Sequence, residues 1–163
     1  MTYPQYVYVY CSSGAENTLL QQLCQAVRRN RQAVQEIRNT PYRKSLDVER
    51  VLLHDLQELG FIHSVTNKKL KAMFRPGVNF EVDFYHPQMQ IAVEIEKGEI
   101  NNVWKNVIKF AESMVIQHGV LLVPIIRHEG TENQSEFYNN TIKKLGNMER
   151  VYALMSSLVI VGY

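Results

Sequence analysis

The apolar residues of this chain change their period several times, and each change marks an element. Tyr6, Val7, Tyr8, Val9 and Tyr10 are strand formers with a tyrosine at every second position, which predicts a half-buried strand. Leu19, Leu20, Leu23, Cys24, Val27, Val34 and Ile37 then recur at helical spacing, and Arg28-Arg29-Asn30-Arg31 interrupts that stripe, ending or bending the helix. Thr40-Pro41 is a break, because the residue before proline is pushed out of the helical region. Ser45 is a good N-cap for a second helix with Leu46, Leu53, Leu56 and Leu59 on its core face and a stop at Gly60. Leu70, Ala72 and Phe74 alternate with Lys69, Lys71 and Arg75, which predicts a strand with one basic face.

Two short alternating runs follow, 79–85 and 90–97, around the turn residues His86-Pro87-Gln88-Met89. Asn101 or Asn102 caps a third helix bearing Val103, Val107, Phe110, Ala111, Met114 and Val115 and ending at Gly119. An apolar strand at 120–126, a helix at 135–148 and a strand at 158–163 complete the order. This order predicts an α/β fold, a mixed central β-sheet flanked by helices. No repeat or linker divides the chain, so a single domain over 1–163 is expected.

The hairpin carries the chemistry. Closing it on 86–89 sets Phe84 opposite Ile91 and Val82 opposite Val93, gathering Val82, Phe84, Ile91, Val93 and Ile95 on one face. The other face then holds Glu81, Asp83, Glu94 and Glu96, with Glu81 opposite Glu94 and Asp83 diagonal to it. Like charges across a strand pair destabilise it, so these acids require protonation, solvent or a cation. A solvated edge hairpin satisfies that requirement, and so does a hard cation such as Mg²⁺. Glu49, which interrupts the apolar stripe of the second helix, adds an acid aimed at the sheet or a favourable charge in the first helical turn.

Composition narrows the choice of partner. The chain has 163 residues, 45% hydrophobic and 21% charged, which is the range of a soluble globular domain. Two cysteines without CxxC spacing, no signal sequence and no membrane-length apolar run set the expectation of a cytoplasmic protein. The net charge of +2 is unevenly spread, since 26–75 holds eleven basic and five acidic residues while 76–163 holds seven and ten. A polyanion-binding surface beside a cation site fits this, as does ordinary surface charge. Phosphate loops, dinucleotide fingerprints, nucleophile elbows and zinc-ligand spacings are all missing from the sequence.

Asp83, an eleven-residue step, and Glu94-Ile95-Glu96-Lys97, set in helix–hairpin–helix–strand order, resemble the PD-(D/E)xK nuclease superfamily over residues 45–126. The Glu-x-Glu ending is similar to the BamHI and BglII group of type II restriction endonucleases, in which an acid or amide replaces the usual lysine. The resemblance implies a restriction-endonuclease-like αβββαβ core and Mg²⁺-dependent hydrolysis of DNA phosphodiesters, with Mn²⁺ as an alternative ion. It implies metal ligation by Asp83, Glu94 and the Ile95 carbonyl, action of Glu96 on the attacking water, and an outer acid at Glu49. Two departures stand out: Val82 replaces the motif proline, and the lysine, Lys97, comes one residue late. A bulge would turn Lys97 inward, or Lys105 or Lys109 on the next helix would supply the amine.

DNA contacts are expected from Arg28, Arg29, Arg31, Arg38, Arg43, Lys44, Lys69, Lys71 and Arg75, mainly to phosphates. Double-stranded DNA is the expected partner, and cutting both strands calls for a homodimer, since one site cuts one strand. A repair or junction-cleaving nuclease, or a catalytically inactive DNA- or protein-binding module of the same fold, are the alternatives.

Overall fold

The computed structural model describes residues 3–12 and 17–163. Six strands, β1 (Gln5–Cys11), β2 (Ile62–Val65), β3 (Val82–His86), β4 (Ile91–Ile95), β5 (His118–Val123) and β6 (Ser157–Gly162), form one sheet in the order β1-β6-β5-β4-β3-β2. The centre is parallel, β4 with β5 and β5 with β6, and both edges are antiparallel. Helices α1 (Asn17–Arg29), α2 (Arg31–Asn39) and α3 (Ser45–Glu58) cover one face. The other face carries α4 (Ile100–Glu112), α5 (Phe137–Leu145) and a short 3-10 helix (Val151–Leu154). Among the described residues no helix is long and apolar enough to cross a membrane.

Period-two alternation assigns the two cores. On β5, Val120 and Leu122 face α1–α3 while Leu121 and Val123 face α4 and α5; on β6, Val159 and Val161 oppose Leu158 and Ile160 in the same way. Strands buried on both faces read as nearly continuous apolar runs, which is what 120–123 and 158–161 are. The run α3, β2, β3, β4, α4, β5 is the αβββαβ core anticipated from the sequence, a restriction-endonuclease-like fold.

Several boundaries differ from expectation, each for a local reason. The interruption at 28–31 does end a helix: α1 stops at Arg29, and Asn30 donates to Ala26 O and to Asp55 on α3. On α3 the buried positions are Val48, Leu52 and Leu56 with Glu49, whereas Leu46 is 40% exposed. The helix begins one position earlier than expected, with Lys44 at the N-cap and its N–H accepted by Asp47, and the i, i+4 row Val48, Leu52 and Leu56 sets a buried face that leaves Leu46 at its edge.

The predicted basic-faced strand at 70–74 does not form. The strand is β2, and 66–81 is a turn-rich connection clamped by Asn67, whose side chain bonds both the N–H and the carbonyl of Phe74. Ala72 there has φ +64, outside strand geometry. Helix α4 ends at Glu112 rather than Gly119, because Ser113 Oγ accepts Val115 N–H and Ile116 N–H and donates to Met73 O. Gly119 lies inside β5 and lets Phe110 pack close, since a Cβ there would stand 2.4 Å from Phe110 Cδ2.

The hairpin register is also corrected. Phe84 pairs with Val93, Tyr85 with Ala92 and His86 with Ile91, so the turn spans 87–90, closed by Gln90 at φ +53. This moves each pairing by two positions and leaves Phe84, Ile91, Val93 and Ile95 in one core as expected. Val82 departs from them and joins the other core with Val65, its partner across β2, where Ser64 at φ +55 breaks the alternation.

Candidate active site

Extending the observed register past Phe84 and Val93 brings Asp83 across from Glu94, and there the ladder between β3 and β4 gives way. The Asp83 carboxylate takes the place of a backbone acceptor, with Oδ2 receiving Ile95 N–H at 2.8 Å, while Glu94 Oε1 receives Asp83 N–H at 3.4 Å. Two acids are thus built into the opening between two strands. The opening lies at the end of the sheet where β4, β5 and β6 finish, the carboxyl edge at which open α/β sheets bind ligands.

Each flanking helix adds a group. From α4, Lys109 Nζ donates to Glu94 Oε2 at 2.9 Å, and from α3, Glu49 approaches Asp83 closely enough to raise its pKa. Glu49 is 7% exposed, and its Oε2 lies 2.9 Å from His63 Nε2 on β2. A cavity of about 200 Å³ opens over Asp83, Glu94 and Glu96, walled by Ser45, Asn102, Lys105, Asn106 and Lys109.

The electrostatics are those of a site with excess negative charge. Burial, reinforced by Glu49, pushes the Asp83 carboxyl up to about 7. Burial and the Asp83 charge push Glu94 up to about 8, with Lys109 pulling the other way. Among the described residues Asp83 Oδ1 has no hydrogen-bond partner, so one oxygen of the pair is open to a ligand. Two carboxylates with room for water and phosphate match what Mg²⁺ takes from a protein. No three of Glu49, Asp83, Glu94 and Glu96 are mutually close enough to share an ion; the trio among the described residues that is so placed is His54, Asp55 and Glu58. That trio lies at the far end of α3, where Asp55 is already bonded to Arg29 and Asn30.

The whole chain, residues 1–163, matches the family described as "putative halobacteria restriction endonuclease". The chain belongs to that family. Comparison with curated proteins and with solved structures gives no match. Within this restriction endonuclease family member, the sequence-predicted residues are placed differently from one another.

Asp83, Glu94 and Ile95 come together at one cavity as expected, and Glu49 on α3 acts on Asp83 through its charge without lining that cavity. Glu81, expected opposite Glu94, is exposed and lines a separate groove with Ser64, Asn67, Lys68 and Lys69. Glu96 is buried, but its Oε1 accepts the N–H groups of Lys97, Gly98 and Glu99 at 2.8, 3.0 and 3.0 Å, so it clamps the β4–α4 connection. Lys97 lies past the end of β4 and points away, its Nζ bonding Thr40 O at 2.5 Å. The amine at the acids is Lys109.

The basic residues divide likewise. Arg29 pairs with Asp55, Arg28 bonds Tyr3 O and Arg31 lies over the Tyr3 ring. Asp55 is ten residues along α3 from Ser45, about 15 Å of helix, so Arg29 sits well away from the cavity wall at Ser45. Arg38 is buried against Glu129 and Tyr163 O. Lys69 bonds His63 O beside the site, Lys71 and Arg75 are exposed on the 66–81 connection, and Arg43 and Lys44 line the cavity next to the acidic one. His63 carries no signal in the sequence, because its contact with Glu49 depends on the packing of β2 against α3.

Proposed function

We propose that the protein is a metal-dependent endodeoxyribonuclease of the PD-(D/E)xK type, hydrolysing phosphodiester bonds of double-stranded DNA. One observation carries this reading: Asp83 and Glu94 face each other where β3 and β4 part, with Lys109 on Glu94. Restriction endonuclease membership supports DNA as the substrate.

Asp83, Glu94 and the Ile95 carbonyl would hold Mg²⁺ or Mn²⁺, which when bound polarises the phosphoryl oxygen and lowers the pKa of a water. The protein's own groups do the rest. Glu49, fixed by His63, sets the negative field around Asp83 and orients water in the outer sphere. Lys109 shares its ammonium between Glu94 and the cavity, where its remaining N–H groups orient the attacking water or neutralise charge growing on the phosphate. Glu96 fixes the β4–α4 connection through Oε1, which holds the Ile95 carbonyl and the start of α4 in place. The lysine of the motif is supplied from α4, so the BamHI-like substitution of Glu96 for lysine is not required for catalysis here.

Two such sites are needed to cut two strands, so a homodimer on duplex DNA is part of the proposal. Purified protein is tested on supercoiled plasmid, linear duplex and branched DNA with Mg²⁺, Ca²⁺ or EDTA. Discrete Mg²⁺-dependent fragments support the restriction reading. Cutting of branched DNA alone replaces it with a junction nuclease, and salt-sensitive binding without cutting replaces it with an inactive binding module.

A further inference from the structure

Beside the acidic cavity lies a second, of about 340 Å³, that shares Ser45, Glu96 and Asn102 with it; Arg43, Lys44 and Lys97 are among its other lining residues, as is Arg127, which is paired with Glu99. Its rim is the 40–44 turn, and that turn is fastened at four points. Arg43 N–H donates to Thr40 O at 3.2 Å, Thr40 Oγ1 to Glu36 O at 2.7 Å, and Lys44 N–H to Asp47 Oδ2 at 2.9 Å. Lys97 reaches across from the β4–α4 connection to Thr40 O. On this fastened turn Tyr42 is 94% exposed.

A single exposed apolar residue is ordinary. Tyr42 differs because a fixed turn holds it out and the two residues that follow it are cations lining the cavity that shares Ser45, Glu96 and Asn102 with the acidic one. A ring presented this way stacks on a flat partner at small entropic cost, and the adjoining cations attract phosphate; a nucleic-acid strand offers both features at once. Neither an acidic peptide nor a lipid surface explains why an exposed aromatic ring and two cations should share a turn at the rim of a cavity adjoining the acidic one.

We propose that the 40–44 turn is a DNA-contacting element: Tyr42 stacks on a base or sugar adjoining the scissile phosphate, and Arg43 and Lys44 hold phosphates of the same strand. Lys97 is a positioning residue that fixes the turn relative to Asp83 and Glu94. The identity of the strand as DNA rests on the nuclease reading above.

The test is anisotropy of a fluorescein-labelled duplex in Ca²⁺, across a salt series, alongside Mg²⁺ cleavage. Tyr42→Ala weakens binding about tenfold with an unchanged salt slope, and Tyr42→Phe binds like the wild type. Arg43→Ala with Lys44→Ala lowers the slope of log K against log salt by about 0.9 for each phosphate no longer neutralised. Lys97→Met weakens binding, and its effect is not additive with Tyr42→Ala. Melting temperatures accompany each variant, so loss of fold is seen directly.

Wild-type-like binding by Tyr42→Ala in a protein that cleaves overturns the turn proposal and leaves the nuclease reading standing. Binding that depends on Tyr42 in a protein that never cleaves does the reverse. No duplex binding by the wild type at any salt overturns both.

Discussion

Lys109 on α4 donates to Glu94 Oε2 at 2.9 Å, whereas Lys97, only three residues beyond Glu94, is turned to Thr40. The amine at the acids therefore comes from a helix fifteen residues downstream, and the adjacent lysine serves the 40–44 turn. Lys109→Met removes the cation beside a buried carboxyl, and that carboxyl stays protonated near neutrality, so the fold persists. Cleavage is expected to fall about 100-fold or more in kcat. Lys97→Met instead raises KM. Single-turnover cleavage under saturating DNA separates the two, and equal kcat loss for both would reject the assignment.

The crowding of Asp83, Glu94 and Glu49 gives a second expectation, in metal binding itself. An ion that binds the folded state alone stabilises it by mass action. Millimolar Mg²⁺ or Ca²⁺ raises the melting temperature of the wild type. Asp83→Asn and Glu94→Gln each lose most of that rise. Differential scanning fluorimetry reads this without DNA, and a flat response of the wild type counts against a cation site.

Without metal, the same pair makes stability depend on pH. Asp83 goes from an ordinary 3.8 to about 7 and Glu94 from 4.5 to about 8, both through burial and neighbouring acids. The folded protein then holds protons that the unfolded chain has released, so the stability from these groups is full below their unfolded values and is lost as pH rises through 7 and 8. In EDTA the melting temperature falls between pH 5.5 and 8.5, and Asp83→Asn with Glu94→Gln flattens that fall. A melting temperature that climbs over this range in the wild type would contradict the charge arrangement.

Packing at Gly119 tests the fold apart from the chemistry. A Cβ there meets Phe110 Cδ2 at 2.4 Å and Leu158 Cδ1 at 3.1 Å, in a core where both residues are fully buried. Gly119→Ala costs about 1–3 kcal/mol by overpacking, measured by urea unfolding. A neutral effect would mean that α4 does not rest on β5 as described.

Much of the site is legible in the sequence because strand alternation holds along β4, where Ile91, Val93 and Ile95 share one core, even though Val82 and Phe84 on β3 fall in different cores. The parity of Asp83 and Glu94 follows from the apolar positions Phe84, Ile91 and Val93, and it holds in a register that differs by two. Glu49 is visible as an acid in an apolar stripe. What the sequence does not supply is geometry set by tertiary packing. The rotation of α4 brings Lys109 to Glu94 and the docking of β2 brings His63 to Glu49, while the capture of the Glu96 carboxylate by the N–H groups of Lys97, Gly98 and Glu99 is local and depends on how the chain bends after β4. At 70–74 the alternation suggests a strand, but it does not reveal that Asn67 bonds Phe74 and folds that segment into turns.

The most direct measurement is Mg²⁺-dependent cleavage of supercoiled plasmid by the wild type and by Asp83→Ala and Glu94→Ala, each shown to be folded by its far-UV circular dichroism. The account predicts nicked and linear products from the wild type, and none from either variant at the same concentration and time. Cleavage by Asp83→Ala or Glu94→Ala at the wild-type rate would contradict it.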